Sequence, residues 1–172
     1  AIFYPGKEEV RTASMQLARV FGADILWEIP APSMAVSAAS DRGIPAICPE
    51  MEGEGRPKKE AVDYLYRGVI NVMKHIGMID GRPELPEKQV HAFGDYKVRA
   101  QCGGMIEVHA KAGQRLSKGD LISTVKNLYG EVVQRATCPI DNAIVCCLRT
   151  YGTARTGEWL VQVSEVKAEL SN

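Results

Sequence analysis

The sequence predicts an α/β domain over residues 1–82, a linker over 83–89 and a small all-β domain over 90–172. Three observations lead there. Residues 1–79 alternate helical apolar periodicity with short apolar runs, the signature of strands interleaved with helices. Residues 80–89 (D-G-R-P-E-L-P-E-K-Q) are polar and hold two prolines, which reads as a connection between domains. Residues 90–167 are rich in valine and glycine turns and show no helical period, the pattern of short strands.

The elements follow in order. Residues 7–21 form an amphipathic helix, with Val10, Ser14, Leu17 and Phe21 on one side and Gly22 as its C-terminal stop. Residues 24–29 (D-I-L-W-E-I) read as a strand, broken by Pro30 and Pro32. Residues 33–40 are small and apolar and suit a short helix; residues 44–48 read as the next strand. The clearest helix spans 58–78, where Val62, Leu65, Tyr66, Val69, Met73 and Ile76 recur at helical spacing, with Pro57 in its first turn and Gly77 at its end. The β domain carries a weak internal repeat. Residues 98–102 resemble 133–138, with Ala100 matching Ala136 and Cys102 matching Cys138. Each copy is followed by a strand, 105–109 or 143–148, and then by a glycine turn, 118–121 or 156–160. Two such units can bury one shared face as a small sandwich or barrel.

The bulk composition excludes several classes of function. The chain has 172 residues, 45% of them hydrophobic, with 21 Lys plus Arg against 21 Asp plus Glu. A core of real size can form, and the zero net charge supplies no electrostatic footprint for nucleic acid or an anionic membrane. No apolar run approaches the roughly 20 residues that span a bilayer. No secretory signal or lipidation motif is present. The first residue is Ala1, so the chain reads as processed or as a piece of something longer. Cys48, Cys102, Cys138, Cys146 and Cys147 are odd in number and include no C-x-x-C. They read as reduced thiols of a cytoplasmic protein.

Residues 43–56 (G-I-P-A-I-C-P-E-M-E-G-E-G-R) concentrate the chemistry. An apolar run stops at Glu50, and a glycine-punctuated acidic loop follows. Glu50 reads as a general base or acid at a strand end, or as an acid that only solvates a loop. Glu52 and Glu54 read as solvated loop acids, and Gly53 and Gly55 permit positive φ. The loop is no P-loop, because it lacks the Lys-Ser/Thr pair. The histidines, His75, His91 and His109, are scattered over both domains and form no zinc motif. Cys48 suits a core position better than a nucleophile. Cys146 and Cys147 alternate faces on a strand, so at most one faces the core.

Residues 43–56, followed by the helix E-A-V-D-Y-L-Y-R-G-V-I-N-V-M-K-H-I-G-M-I, resemble the succinylglutamate desuccinylase/aspartoacylase family. The segments V-R-A-Q-C-G-G-M-I-E-V to G-E-W-L-V-Q-V are similar to that family's β appendage, itself similar to a biotinyl/lipoyl barrel-sandwich. The resemblance implies a partial zinc-carboxypeptidase-like α/β domain followed by a barrel-sandwich-like β domain. It implies a zinc-dependent deacylase acting on a small N-acyl amino acid, with Glu50 on the catalytic glutamate. Zinc held by two His and one Glu would polarise the amide carbonyl, and the glutamate would move a proton from water to the leaving amine. The H-x-x-E pair and later His that the family uses are not in this sequence. The zinc ligands are therefore expected upstream, and the chain reads as the C-terminal portion of a longer enzyme, inactive alone. No metal ligand is assigned here. Glu52 and Glu54 stand where the family has loop glycines. Arg42 and Arg56 lie near Glu50 but match no substrate-arginine motif.

Two further readings concern the β domain. Lys126, in T-V-K-N, lies near where a lipoyl-type hairpin presents its modified lysine, which would make the domain a non-enzymatic carrier or interaction module. Alternatively the β domain is a lid or homo-oligomer contact, with Phe93, Tyr96 or Tyr129 reaching the active site.

Overall fold

The structure, a computed structural model, describes every residue except Glu54. The expectation for Glu54 thus lies outside the described residues. The chain divides into two units, one of Ala1–Phe93 with Lys167–Asn172 and one of Gly94–Val166.

The first unit is α/β, as predicted. Strand β1 (Ile2–Phe3) leads into helix α1 (Glu8–Phe21), whose C-cap Gly22 takes a left-handed φ of 85° and bonds back to Ala18 and Arg19. Strand β2 (Ile25–Glu28) and helix α2 (Ala35–Asp41) follow, then helix α3 (Lys59–His75). Pro57 precedes the N-cap Lys58 and so lies just outside α3 instead of in its first turn. Strand β3 (Lys88–Arg99) starts in this unit and strand β10 (Trp159–Ser171) ends in it. β1, β2 and β3 are parallel, in register Ile2 to Trp27 and Ile25 to Val90. Phe3 and Leu26 bury against Ala18 of α1, joined by Met15, Ile47 and Leu170.

The 83–89 stretch is less a free linker than a tied-down connection. Asn71 of α3 donates to the Glu84 carbonyl (2.8 Å) and accepts from its amide (2.9 Å). Gln89, 1% exposed, donates to the carbonyls of Arg19, in the last turn of α1, and of Ala23, just past its end. A buried glutamine is cheap here because its amide replaces the water those carbonyls would otherwise need. The division falls between Phe93 and Gly94, later than the sequence boundary. The last six residues return to the first unit, where the Asn172 side chain bonds Pro86 and Gln89.

Helix α3 departs from its sequence reading in a consequential way. The periodic residues Val62, Tyr66, Val69 and Ile76 are all more than half exposed, while Ala61, Gly68 and Asn71 are buried. The reason is close approach. A methyl on Gly68 would overlap the Phe21 ring, so only glycine lets α3 settle on α1, where Phe21 also meets Tyr64 edge to face. The small-residue face wins the interior and the large apolar stripe points out.

The second unit is all-β. It holds β4 (Gly104–Val108), β5 (Arg115–Leu116), β6 (Leu121–Lys126), β7 (Val132–Thr137), β8 (Ala143–Leu148) and β9 (Thr153–Ala154), with parts of β3 and β10. Pairing gives open sheets: β10 with β8 and β5, and separately β7-β6-β4-β9. His109 falls just past β4, not within a strand. Two clusters form the core, one around Ile122, Cys138, Val145, Val161 and Val163, the other around Ala100, Val125, Ala136 and Leu160.

The internal repeat is real but its register differs. In one turn Ser117 N–H donates to Asp120 (2.7 Å), Gly119 N–H to the Cys138 carbonyl and Cys138 N–H to the Asp120 carbonyl. In the other, Arg155 N–H donates to Glu158 (2.8 Å), Gly157 N–H to the Ala100 carbonyl and Ala100 N–H to the Glu158 carbonyl. The structural equivalent of Cys138 is therefore Ala100, two residues from the sequence match. Cys102 and Cys138 are not equivalent and pack on different clusters.

Gly104 marks the tightest backbone approach in this unit. A Cβ there would strike the Lys126 carbonyl and lie 2.8 Å from Val125 Cγ1. Gly104→Ala should destabilise the chain by about 2 kcal/mol through overpacking against backbone that cannot move aside. Urea unfolding checks this, and an unchanged midpoint would refute the close contact.

Candidate active site

Residues 44–48 do not form the strand that was expected. They make one antiparallel bridge, in which Ile2 N–H donates to the Cys48 carbonyl (2.9 Å) and Cys48 N–H to the Ile2 carbonyl (2.8 Å). Pro45 lacks an N–H, which removes one possible ladder bond. The Ala46 amide goes instead to Ser14 Oγ of α1 (3.1 Å). Ile47 still packs on Phe3 and Leu26, while Ile44 is exposed.

The bridge decides where Glu50 sits. The segment runs antiparallel to β1, so the two residues after Cys48 head toward the amino end of β1. Glu50 thus lies on the side of Ala1, at the amino edge of the parallel strands β1, β2 and β3. It is exposed. Burial pushes the Cys48 thiol up, and the charge of Glu50 adds to that. Cys48 is accordingly a poor nucleophile.

The loop beyond is shaped by left-handed backbone. Gly55 has φ of 65° and Glu52 φ of 60°, a conformation that costs a side chain about 1–2 kcal/mol. Glu52 also pairs with Lys58 at 2.8 Å, an exposed contact of small value. Arg42 is occupied at the end of α2, where it donates to the Ala38 carbonyl (2.8 Å). Arg56 is exposed in the loop.

A buried polar cluster that the sequence reading missed lies in the same unit. Glu28, the last residue of β2, is 2% exposed. Arg11 of α1 reaches it with Nε to Oε1 at 2.7 Å and Nη2 to Oε2 at 3.0 Å. His91 Nε2 lies 2.8 Å from the same Oε2, and its ring stacks on Phe3. Burial alone would raise the Glu28 carboxyl; hydrogen bonds from His91 and Arg11 outweigh it and hold the group at about 2. The signal was a carboxylate inside the apolar run D-I-L-W-E-I, which has to find partners if that run is buried.

The histidines do not converge. His75 ends α3, His91 is committed to Glu28, and His109, in the other unit, lies 3.3 Å from Thr124 Oγ1. Among the described residues, no three His, Cys, Asp or Glu side chains gather to hold a metal ion. The described residues therefore do not by themselves make a zinc site. None of the five cysteines is in a disulfide among the described residues. Burial pushes Cys146 up to about 12, against the hydrogen bond to Ser164 that lowers it. No helix among the described residues is long and apolar enough to cross a membrane. Of the aromatic residues suggested for an active-site wall, Phe93 lies under Lys167 in the first unit, while Tyr96 and Tyr129 are exposed in the second.

No family model matches the chain. It is 20% identical over 174 aligned residues to N-alpha-acetyl-L-2,4-diaminobutyric acid deacetylase of Halomonas elongata, an alignment that covers 94% of this chain and 50% of that protein. The product-bound ectoine utilization protein EutE (DoeB) of Ruegeria pomeroyi superposes with TM-score 0.85 at 20% identity, over 95% of this chain and 52% of that one. A succinylglutamate desuccinylase/aspartoacylase of Rhodobacter sphaeroides gives TM-score 0.83 at 23% identity, over 97% and 53%. At these identities the structural likeness is one of fold. The neighbours point to succinylglutamate desuccinylase/aspartoacylase family proteins, with this chain matching their C-terminal portion. It spans about half the length of the relatives it matches.

Two predictions follow from the site. Because the folded value of Glu28 lies below its ordinary 4.5, its stabilisation is complete above that pH and is lost as pH falls toward about 2. Glu28→Ala should cost about 3 kcal/mol at neutral pH, since Arg11 and His91 are left without their acceptor, and the acid decline in urea midpoint should be shallower than in wild type. An identical acid profile would remove Glu28 as its source. Separately, Glu52→Gly should be about 1 kcal/mol more stable than Glu52→Ala, because both lose the ion pair and only glycine relieves the positive φ. Equal thermal midpoints for the two variants would contradict the strain.

Proposed function

We propose that this chain is the C-terminal portion of an amide hydrolase that removes an acyl group from a small N-acyl amino acid, with Glu50 as its general base. The observation that supports the reading is the fold, shared over nearly the whole chain with proteins named for this chemistry. Glu50, an accessible carboxylate just past the bridge that ties its segment to β1, is consistent with it. In this role Glu50 takes a proton from the attacking water and delivers it to the departing amine, leaving a carboxylate and a free amino group. The Ile2–Cys48 bridge and the Ser14 bond to Ala46 hold the segment that carries it, so the carboxylate is positioned by sheet edge and helix together.

Zinc would supply polarisation of the amide carbonyl. Its ligands in this reading belong to the upstream half that the relatives carry. Arg42 donates to the helix end, and Arg56, exposed in the loop, is the other guanidinium near Glu50 in sequence. The likeness of the second unit to a barrel-sandwich belongs to the same reading.

The carrier alternative is disfavoured by the surroundings of Lys126. It is the last ladder residue of β6, pairing with Met105 and Val132, and its ammonium sits 2.6 Å from Glu107. A lysine meant for modification needs a free amine at a hairpin tip, and the tip here is Asn127 to Gly130.

In a form extended upstream of Ala1, Glu50→Gln should lower kcat on an N-acyl amino acid by a factor on the order of 10² or more, the usual scale for proton-transfer catalysis. Unchanged kcat would take the role away from Glu50.

A further inference from the structure

We infer that the cleft between the C-terminal end of α1, helix α3 and residues 84–86 is a binding site for a small zwitterion, a free α-amino acid with an apolar side chain. All of its walls belong to the first unit, and Glu50 is not among the described residues that line it. Its volume is about 490 Å³, within the range of small-molecule sites. The assignment rests on these residues and not on the hydrolase reading.

The first observation is a pair of opposite charges that act on one phenol and do not pair with each other. Asp24 and Arg67 both line the cleft. Burial pushes the Tyr64 hydroxyl up, the Asp24 carboxylate adds to that, and the Arg67 guanidinium opposes it. Both charges therefore lie close to that hydroxyl. Neither forms an ion pair among the described residues.

The second observation is what surrounds the two charges. Gly22 is the C-cap of α1, and its carbonyl accepts from Tyr64 Oη at 3.4 Å. The negative end of the helix dipole thus adds to the Asp24 carboxylate, and together they favour an ammonium group. Arg67 offers the planar fork that matches a carboxylate. Phe21 and Tyr64, edge to face, share the lining with Leu85 and Pro86 and make an apolar wall. An α-amino acid carries its ammonium and carboxylate on one carbon, so it can meet both charges around Tyr64 and lay its side chain on that wall. Lys74 and Glu84 also line the cleft. They are one of each sign and keep its charge balanced, so a simple anion is matched less well.

The cleft is also preformed. Asn71 holds the Glu84 backbone to α3 by two hydrogen bonds, and Gly68 against Phe21 seats α3 on α1. A ligand would order little chain on binding.

Amide chemical-shift mapping by NMR tests the site on the full 172-residue chain, with L-phenylalanine as the probe. L-Phenylalaninamide lacks its carboxylate and 3-phenylpropionate lacks its ammonium. L-Phenylalanine should shift the amides of Gly22, Asp24, Tyr64 and Arg67 in a saturable manner. Each analogue should bind at least about tenfold more weakly, the scale of one lost charged hydrogen bond. Absence of a saturable shift at these amides overturns the site. Binding of either analogue as tight as that of L-phenylalanine overturns the zwitterion. Two variants read the charges separately. Asp24→Asn should weaken L-phenylalanine about tenfold and leave 3-phenylpropionate unchanged. Arg67→Gln should weaken L-phenylalanine and leave the amide unchanged. Equal losses for all three probes in both variants overturn the assigned roles. Activity enters none of these readouts, so failure here and failure of Glu50→Gln are distinguishable.

Discussion

A buried carboxylate has to be neutralised, and the first unit is organised around neutralising Glu28. Its partners come from α1 and β3, while Glu28 itself ends β2. Helix and strands are therefore held in one register by hydrogen bonds whose geometry is far more exacting than apolar contact. An apolar residue at position 28 could tolerate α1 sliding by a fraction of a turn. A bidentate arginine fork cannot, because both of its bonds depend on angle as well as distance. Phe3, stacked on His91, extends the constraint to β1, and β1 in turn bridges the segment that leads to Glu50. The candidate base is thus tied to a charge cluster through a chain of strand pairings.

Small residues govern the other half of that unit. Gly68 and Ala61 bring α3 against α1, and Asn71 pins the connection after it. Close helix approach is favourable because dispersion falls steeply with separation. The residues that make the approach possible contribute little apolar area of their own. Hence the helix buries its least hydrophobic-looking face and leaves the stronger stripe outward.

In the second unit the same turn is used twice. A carboxylate accepts the backbone amide three residues earlier, the glycine just before it takes a left-handed φ, and an incoming strand exchanges two bonds with the turn. The chemistry is local, so the repeat survives with Ser-Lys-Gly-Asp in one copy and Arg-Thr-Gly-Glu in the other. What must be preserved is one acceptor side chain and one glycine. Ala100 and Cys138 share a position because both are small and buried.

Periodicity and turn chemistry were enough to determine the three helices, the stop at Gly22 and the change to β structure, because these depend on neighbours within a few residues. Glu50 was singled out on the same kind of signal: a carboxylate after an apolar run is a local pattern. Tertiary structure alone decided the rest. The sequence could not tell which face of α3 is buried, since that turns on whether Gly68 meets Phe21 across the interface. It could not tell that 44–48 makes a single antiparallel bridge, which moves Glu50 to the amino edge of the parallel strands, because strand direction is a long-range property. Nor could it pair Arg11, Glu28 and His91, which are far apart in the chain and meet only because burying one charge forces the fold to bring others to it.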